Sequence, residues 1–307
     1  MKRKRLRKFR YGLLFYALRC VFFLGKAMPR SVGLSVFGLV GRVVFLLSGK
    51  DKKRSVEQLR AIYGDIWDEG KIKRTARDVY IGLGKNLFDS IYLSAASREE
   101  FDRVVKSDDL DAFRKAYQNR GGFIITAHIG CFEMLLHFFA RHGFKSFAIG
   151  KKLKDERIDG LVRKLRSGPN IEYMDRSENG RKILRFLKGG RLCGVLIDQD
   201  TDIEGVFAQF LGRPAFTPSG PIRIAMKNNT PVFVATTVRL EDNTHKVFIS
   251  SEIVLENSGE FERDLVCNVQ KVNNILCKTI NEYPSQWVWM HRRWKTKAPV
   301  TVGRGVE

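Results

Sequence analysis

His128 closes a short apolar run, Gly122-Phe123-Ile124-Ile125-Thr126-Ala127, and a carboxylate, Glu133, follows five residues later. A neutral imidazole oriented by a carboxylate can take a proton from a hydroxyl. The spacing is not the i, i+4 of histidine pairs that bind metal on one helical face, so it favours a dyad over a metal site. A second acidic group, Asp198-Gln199-Asp200, follows another apolar run, Gly194 to Ile197. Asp198 or Asp200 could face His128 from a neighbouring strand end, although aspartate is also a common turn and capping residue. His128, Glu133 and Asp198 are the candidate catalytic residues. One imidazole cannot pair with all these carboxylates, so some of them must be structural.

Other groups could hold a substrate. Arg166 and Arg176 are candidates for a phosphate clamp, because a guanidinium matches phosphate geometry. Asp200 and Thr217 sit in the two polar stretches after the second apolar run. Arg292 and Arg293 lie in the C-terminal cluster Trp287-Val288-Trp289-Met290-His291-Arg292-Arg293-Trp294-Lys295, which holds three of the four tryptophans of the chain. Indole suits a membrane interface and arginine a phosphate beneath it; an aromatic closure of the core fits the same residues. No serine or cysteine sits in a nucleophile elbow. Cys131, three residues after His128, is the alternative nucleophile, since an imidazole can activate a thiol. No metal or redox cofactor is indicated.

These residues need a frame. Apolar run, glycine turn and apolar helix in succession read as strand, turn and helix, with His128 at the carboxyl edge of the strand, where open α/β sheets place ligands. Strands are expected at 123–127, 144–149, 194–197, 232–238 and 246–250, and helices at 55–64, 69–93, 151–166, 180–187 and 264–282. Their alternation predicts an α/β fold with a mostly parallel sheet. The stretch 50–54 reads as a charged break. Phe207, Phe210 and Leu211 are candidates for the core.

The chain has 307 residues, 44% of them hydrophobic, enough for a substantial core. Its formal charge of +22 calls for an anionic partner. The five cysteines form no CxxC pair and alternate with no histidines, which argues against structural zinc and a disulfide framework. Residues 2–10 contain seven Lys or Arg and no acid, and two apolar stretches follow, 11–24 and 31–47, interrupted by Arg19 and Arg42. Neither reaches about 18 uninterrupted apolar residues, so the segment reads as an imperfect span or as amphipathic helices in the interface. Residues 1–50 are therefore expected to attach the protein to an anionic membrane surface, and 51–307 to form the catalytic domain. Past residue 10 the cations are mixed with acids, and no nucleic-acid motif is present, so no nucleic-acid partner is expected.

Taken in order, several segments resemble the bacterial late acyltransferases of lipid A biosynthesis, the lauroyl/myristoyl type, from about residue 30 to 297. They are Gly41-Arg42, the His-x4-Glu stretch, Leu165-Arg166-Ser167-Gly168, Asp198-Gln199-Asp200, Phe210-Leu211-Gly212-Arg213-Pro214-Ala215-x-Thr217, the run 225–232, and Trp-x-Trp-x-His-Arg-Arg-Trp-Lys. Cys131-Phe132 stands where the family often has Asn-Trp, and Gln58-Leu59-Arg60 where it has Asn-Leu-Arg. The Phe-Pro-Glu-Gly signature of glycerol-phosphate acyltransferases is absent. The resemblance implies a glycerol-phosphate-acyltransferase-like fold at the cytoplasmic face of the inner membrane. It implies an acyl-carrier-protein thioester as donor and a phosphorylated glycolipid, a lipid A precursor, as acceptor. His128 would then act as base, with Glu133 orienting the ring and Asp198 sharing that role. The same chemistry on a phosphoinositide mannoside or an aminolipid, a thioester hydrolase, and a basic binding protein without activity are the competing readings.

Overall fold

The computed structural model describes residues 2–150, 152–175 and 180–298. Four helices come first: α1 (Lys2–Ala27), α2 (Arg30–Leu47), α3 (Gly49–Tyr63) and α4 (Glu69–Ala95). Strands and helices then alternate through α5 (Arg98–Val104), β1 (Val105–Lys106), α6 (Leu110–Tyr117), β2 (Gly122–Thr126), α7 (Met134–Arg141), β3 (Ser146–Gly150), α8 (Glu156–Leu165), β4 (Ile171–Asp175), α9 (Gly180–Lys188) and β5 (Leu192–Leu196). A hairpin of β6 (Gly205–Phe210) and β7 (Arg213–Pro218) leads to α10 (Gly220–Asn228), β8 (Val232–Arg239), β9 (His245–Ile249) and α11 (Phe261–Glu282). A single 3-10 turn, Pro284–Gln286, opens the C-terminal segment.

The fold is α/β. Seven strands form one mixed sheet in the order β1-β9-β8-β2-β5-β3-β4, parallel except for β8 against β9. Strand β2 is buried along its whole length, which is why it reads as an unbroken apolar run. Phe123 and Ile125 face a core shared with Leu265, Val269, Val272, Leu276 and Ile280 of α11. Ile124 faces the opposite core, with Phe113 of α6 and Phe138 of α7. Helix α11 presents those five residues at helical spacing, so burying one stripe fixes it on the sheet.

Helices α2 and α4 pack closely through glycines. A Cβ at Gly41 would run into the carbonyl of Tyr80, and one at Gly84 into that of Phe37. The start of α2 is tied down by charge: Arg30 donates to buried Asp89 of α4 (2.9 and 2.8 Å), which also accepts from Arg239 (2.7 Å) and His245 (2.8 Å).

Several expectations change. The charged stretch 50–54 is helical and belongs to α3; Ser55, Leu59 and Tyr63 are buried at every fourth position, and the charges occupy its outer face. The helix expected at 151–166 starts at Glu156, and α5, β1, α6, β4, the β6–β7 hairpin and α10 were not anticipated. Two prolines in β7 disguise it as a loop, while Leu211 and Gly212, both at positive φ, make the tight turn.

Candidate active site

His128 and Asp198 meet because their strands are parallel neighbours. Thr126 of β2 is in register with Leu196 of β5. Two residues beyond these strand ends come His128 and Asp198, whose equal offset sets them side by side at the carboxyl edge of the sheet. The Nδ1 of His128 lies 2.8 Å from Asp198 Oδ1, and its backbone N–H donates to Asp198 Oδ2 (2.9 Å). The indole N–H of Trp287 donates to the same Oδ2 (2.7 Å). Asp198 is fully buried, whereas the His128 ring is 21% exposed. Burial alone would raise the carboxyl. The charge and hydrogen bond of His128, with the donations from Trp287 and the backbone, outweigh it and pull Asp198 down to about 2. Asp198 is thus an acceptor only, so when the His128 ring is neutral its proton sits on Nδ1 and its lone pair on Nε2.

Gln199 covers the ring. Its amide nitrogen is 3.0 Å from His128 Nε2 and 3.2 Å from Nδ1, so it lies over the face of the imidazole, and it is 2.7 Å from His291 Nε2, to which it donates. Burial, reinforced by the nearby His128, lowers His291 to about 4 and keeps it neutral. Neither Gln199 nor His291 had been assigned a role from sequence, although each lies inside a motif. The signal was the amide between two aspartates and the histidine after the tryptophans.

The turn after His128 is built on Gly130, at φ +55°, where a Cβ would run into the carbonyl of Thr237. Gly130 N–H donates to Gln286 O (3.0 Å) and Val288 N–H to His128 O (3.1 Å), so the C-terminal segment clasps this turn. From outside, Gln58 of α3 donates to Trp289 O and to His291 O (2.6 Å). The residue standing in place of the family asparagine therefore braces the segment that carries His291.

Glu133 is not the ring's partner. The turn carries it past His128 to the start of α7, where it pairs with Arg166 through Nε (2.8 Å) and Nη2. The expectation that Glu133 orients the imidazole is corrected: Asp198 holds that position, and Arg166 neutralises Glu133. Burial opposes the charge on Arg166, but Glu133 more than compensates and holds it protonated. Two largely apolar cavities end at this ion pair and at Phe132, whose ring meets that of His128 edge-on at 4.8 Å. One, of about 290 Å³, lies between α1, α4 and α8 and is lined by Leu18, Phe22, Leu87 and Leu161. The other, of about 80 Å³, runs between α7 and the sheet beside Leu136, Ala148 and Gly194.

The remaining candidates separate. Arg293 is buried, donating to Phe216 O (2.6 Å) and Thr217 Oγ1 (2.7 Å), and burial lowers it to about 10. Thr217 is buried beneath it, and Asp200 accepts from the backbone and hydroxyl of Thr296 (2.6 and 2.9 Å). These three hold the β6–β7 hairpin and the C-terminal segment in place; expected to touch substrate, they are instead committed to the chain itself. Arg292 is exposed. Arg176 lies outside the described residues. Phe210 is core, under Trp287 at 5.5 Å. Cys131 is buried against Ser90 and Asn86, and burial pushes its thiol up to about 12. Among the described residues no group of three or more potential metal ligands gathers.

The family model for bacterial lipid A biosynthesis acyltransferases matches residues 1–296. No curated protein matches the chain.

Proposed function

The chain belongs to the bacterial lipid A biosynthesis acyltransferase family and is an acyltransferase; from that premise we propose that it moves a fatty acyl chain from an acyl-carrier-protein thioester to a hydroxyl of a phosphorylated lipid A precursor, with His128 as base. The observation that supports this most is the His128–Asp198 pair, which engages Nδ1 and leaves Nε2 of the neutral ring to accept a proton. The acceptor hydroxyl hydrogen-bonds to Nε2 in the plane of the ring. As its oxygen attacks the thioester carbonyl, its proton passes to Nε2, and Asp198 stabilises the imidazolium. The tetrahedral intermediate collapses, the C–S bond breaks, and the proton on His128 goes to the departing thiolate. Nothing on the enzyme is acylated, in keeping with the raised, buried Cys131 thiol.

The apolar cavities that meet at Phe132 suit the acyl chain, and the neutralised Glu133–Arg166 pair marks their mouth. Exposed Arg292, next to His291, is the cation best placed for an acceptor phosphate. The excess of cations favours approach of an acidic carrier protein. Residues 1–50 act as the attachment segment and 51–307 as the catalytic domain. In support, α2 is an apolar helix of 18 residues, 28% buried, and many large apolar side chains of α1 and α2 are exposed, among them Phe9, Leu13, Phe23, Leu39 and Leu47. Because α2 lies against α4, this face is assigned to the membrane interface, on the cytoplasmic side of the inner membrane. Mass spectrometry of lipid products from purified protein, supplied with acyl-carrier-protein thioester and a lipid A precursor, tests the reading. A gain of one acyl group is expected. Transfer to another lipid but not to this one would replace the acceptor, and thioester consumption with no acylated lipid would replace transfer by hydrolysis.

A further inference from the structure

One cavity takes no part in that chemistry. It is a groove of about 420 Å³ lined by Ser31, Leu34, Ser35, Gly38, Leu39 and Arg42 of α2, with Ile81 and Lys85 of α4 and Asn243 from the β8–β9 loop. Its size falls in the range of small-ligand pockets. Ser31, Ser35, Gly38 and Arg42 recur at i, i+4, i+7 and i+11, so they form one strip along α2. Val32, Val36, Leu39 and Val43 repeat the pattern one position on, and all four are exposed. Leu34, Phe37 and Gly41, on the other side of the strip, are buried. The polar strip therefore runs along the border between the packed face of α2 and its exposed apolar face.

The charges in the groove are unbalanced. Lys85 is half-buried, and its ammonium has one neutral partner, the amide oxygen of Asn243 at 3.3 Å. Arg42 makes no hydrogen bond or ion pair among the described residues. Behind them, Asp89 is already shared by Arg30, Arg239 and His245. Three cations (Arg30, Lys85 and Arg239) thus stand near one committed carboxylate, and Arg42 is exposed at the far end of the groove. A half-buried cation without a counter-ion is costly, and an anion entering the groove would relieve it. Burial and the charge of Arg239 lower Lys85, with Asp89 only partly offsetting them, as expected for an ammonium short of negative charge.

We propose that this groove binds the phosphate headgroup of an anionic phospholipid, with Arg42 and Lys85 as its cationic walls on either side of Gly38, and the lipid tails along Val32, Val36, Leu39 and Val43. The occupant is a lipid because the cations and the exposed apolar strip are adjacent on one helix. The inference rests on the reading of residues 1–50 as a membrane attachment. It adds a discrete lipid-selective site to what would otherwise be diffuse attraction.

The test is flotation of the full chain with phosphatidylcholine vesicles, with and without phosphatidylglycerol. The proteins are wild type, Arg42→Ala/Lys85→Ala, Ser35→Asp, and a charge-matched Lys227→Ala/Arg263→Ala control with exposed cations removed from α10 and α11. Wild type should bind both kinds of vesicle and prefer the anionic one. The groove double variant should lose about 30-fold in that preference, given roughly 1 kcal/mol for each of its two cations near the surface, while keeping its binding to neutral vesicles. Ser35→Asp, which leaves both cations in place, should lose preference in the same direction; the control should keep most of it. Equal losses in the groove variant and the control would overturn the site and leave diffuse attraction. Failure of wild type to bind any vesicle would overturn the membrane reading, and the site with it. Thermal stabilisation of wild type, but not of the groove variant, by inorganic phosphate alone would reassign the groove to a free anion.

Discussion

At the scale of single residues, the account turns on which carboxylate serves His128. Sequence put Glu133 first and gave Asp198 a share, because proximity along the chain favours Glu133 and only the pairing of β2 with β5 favours Asp198. Strand register is a non-local property, and a lone sequence does not display it. Gln199 and His291 escaped for the same reason, since their roles exist only when two strand ends and the C-terminal segment converge. The two acids should behave differently when made neutral. Asp198→Asn removes the acceptor that fixes the ring and stabilises the imidazolium, so kcat should fall by about 10²-fold or more, with a small change in KM. Glu133→Gln leaves that pair intact and unbalances Arg166, so its effect should appear mainly in KM for the donor or acceptor. Steady-state kinetics of both variants checks this; a larger kcat loss for Glu133→Gln would reverse the assignment. Cys131→Ala should leave kcat near wild type, and intact-protein mass spectrometry during turnover should detect no acylated enzyme.

At the scale of elements, the central strands and long helices were legible, because buried parallel strands are unbroken apolar runs and α4 and α11 show helical periodicity. The β6–β7 hairpin and the first turns of α3 were not, since prolines and surface charges conceal what packing enforces. The glycines of α2 and α4 were equally silent: Gly41 and Gly84 matter only through the backbone of the facing helix. A Gly84→Ala change should push α2 away from α4 and destabilise the protein by about 1–3 kcal/mol, as overpacking does. A lowered midpoint in thermal unfolding would show it. An unchanged midpoint would mean that the two helices have room to part.

At the scale of the whole molecule, buried histidines set an acid limit. Burial holds His245 and His291 to about 4, whereas an unfolded histidine titrates near 6.5. Between about pH 6.5 and 4 the unfolded chain therefore binds more protons than the native one, and stability falls as pH falls across that window. The slope is at most about 1.4 kcal/mol per pH unit for each histidine. Asp198 works in a lower range: depressed to about 2, it stabilises the fold above the ordinary carboxylate pKa and loses that contribution only as pH falls toward 2. Denaturant unfolding from pH 7 to 4 should show the decline, and His245→Asn should flatten it. A stability independent of pH over that range would mean that both histidines protonate without unfolding. The same burial links the site to the rest of the chain, for His291 is held by a segment that α3 braces and the sheet closes. The most direct measurement is the turnover number for acyl transfer by His128→Ala, with folding verified, at saturating thioester and lipid. The account predicts a fall of about 10²–10⁴-fold, the usual worth of a general base. A turnover number close to wild type would contradict it and remove His128 from the chemistry.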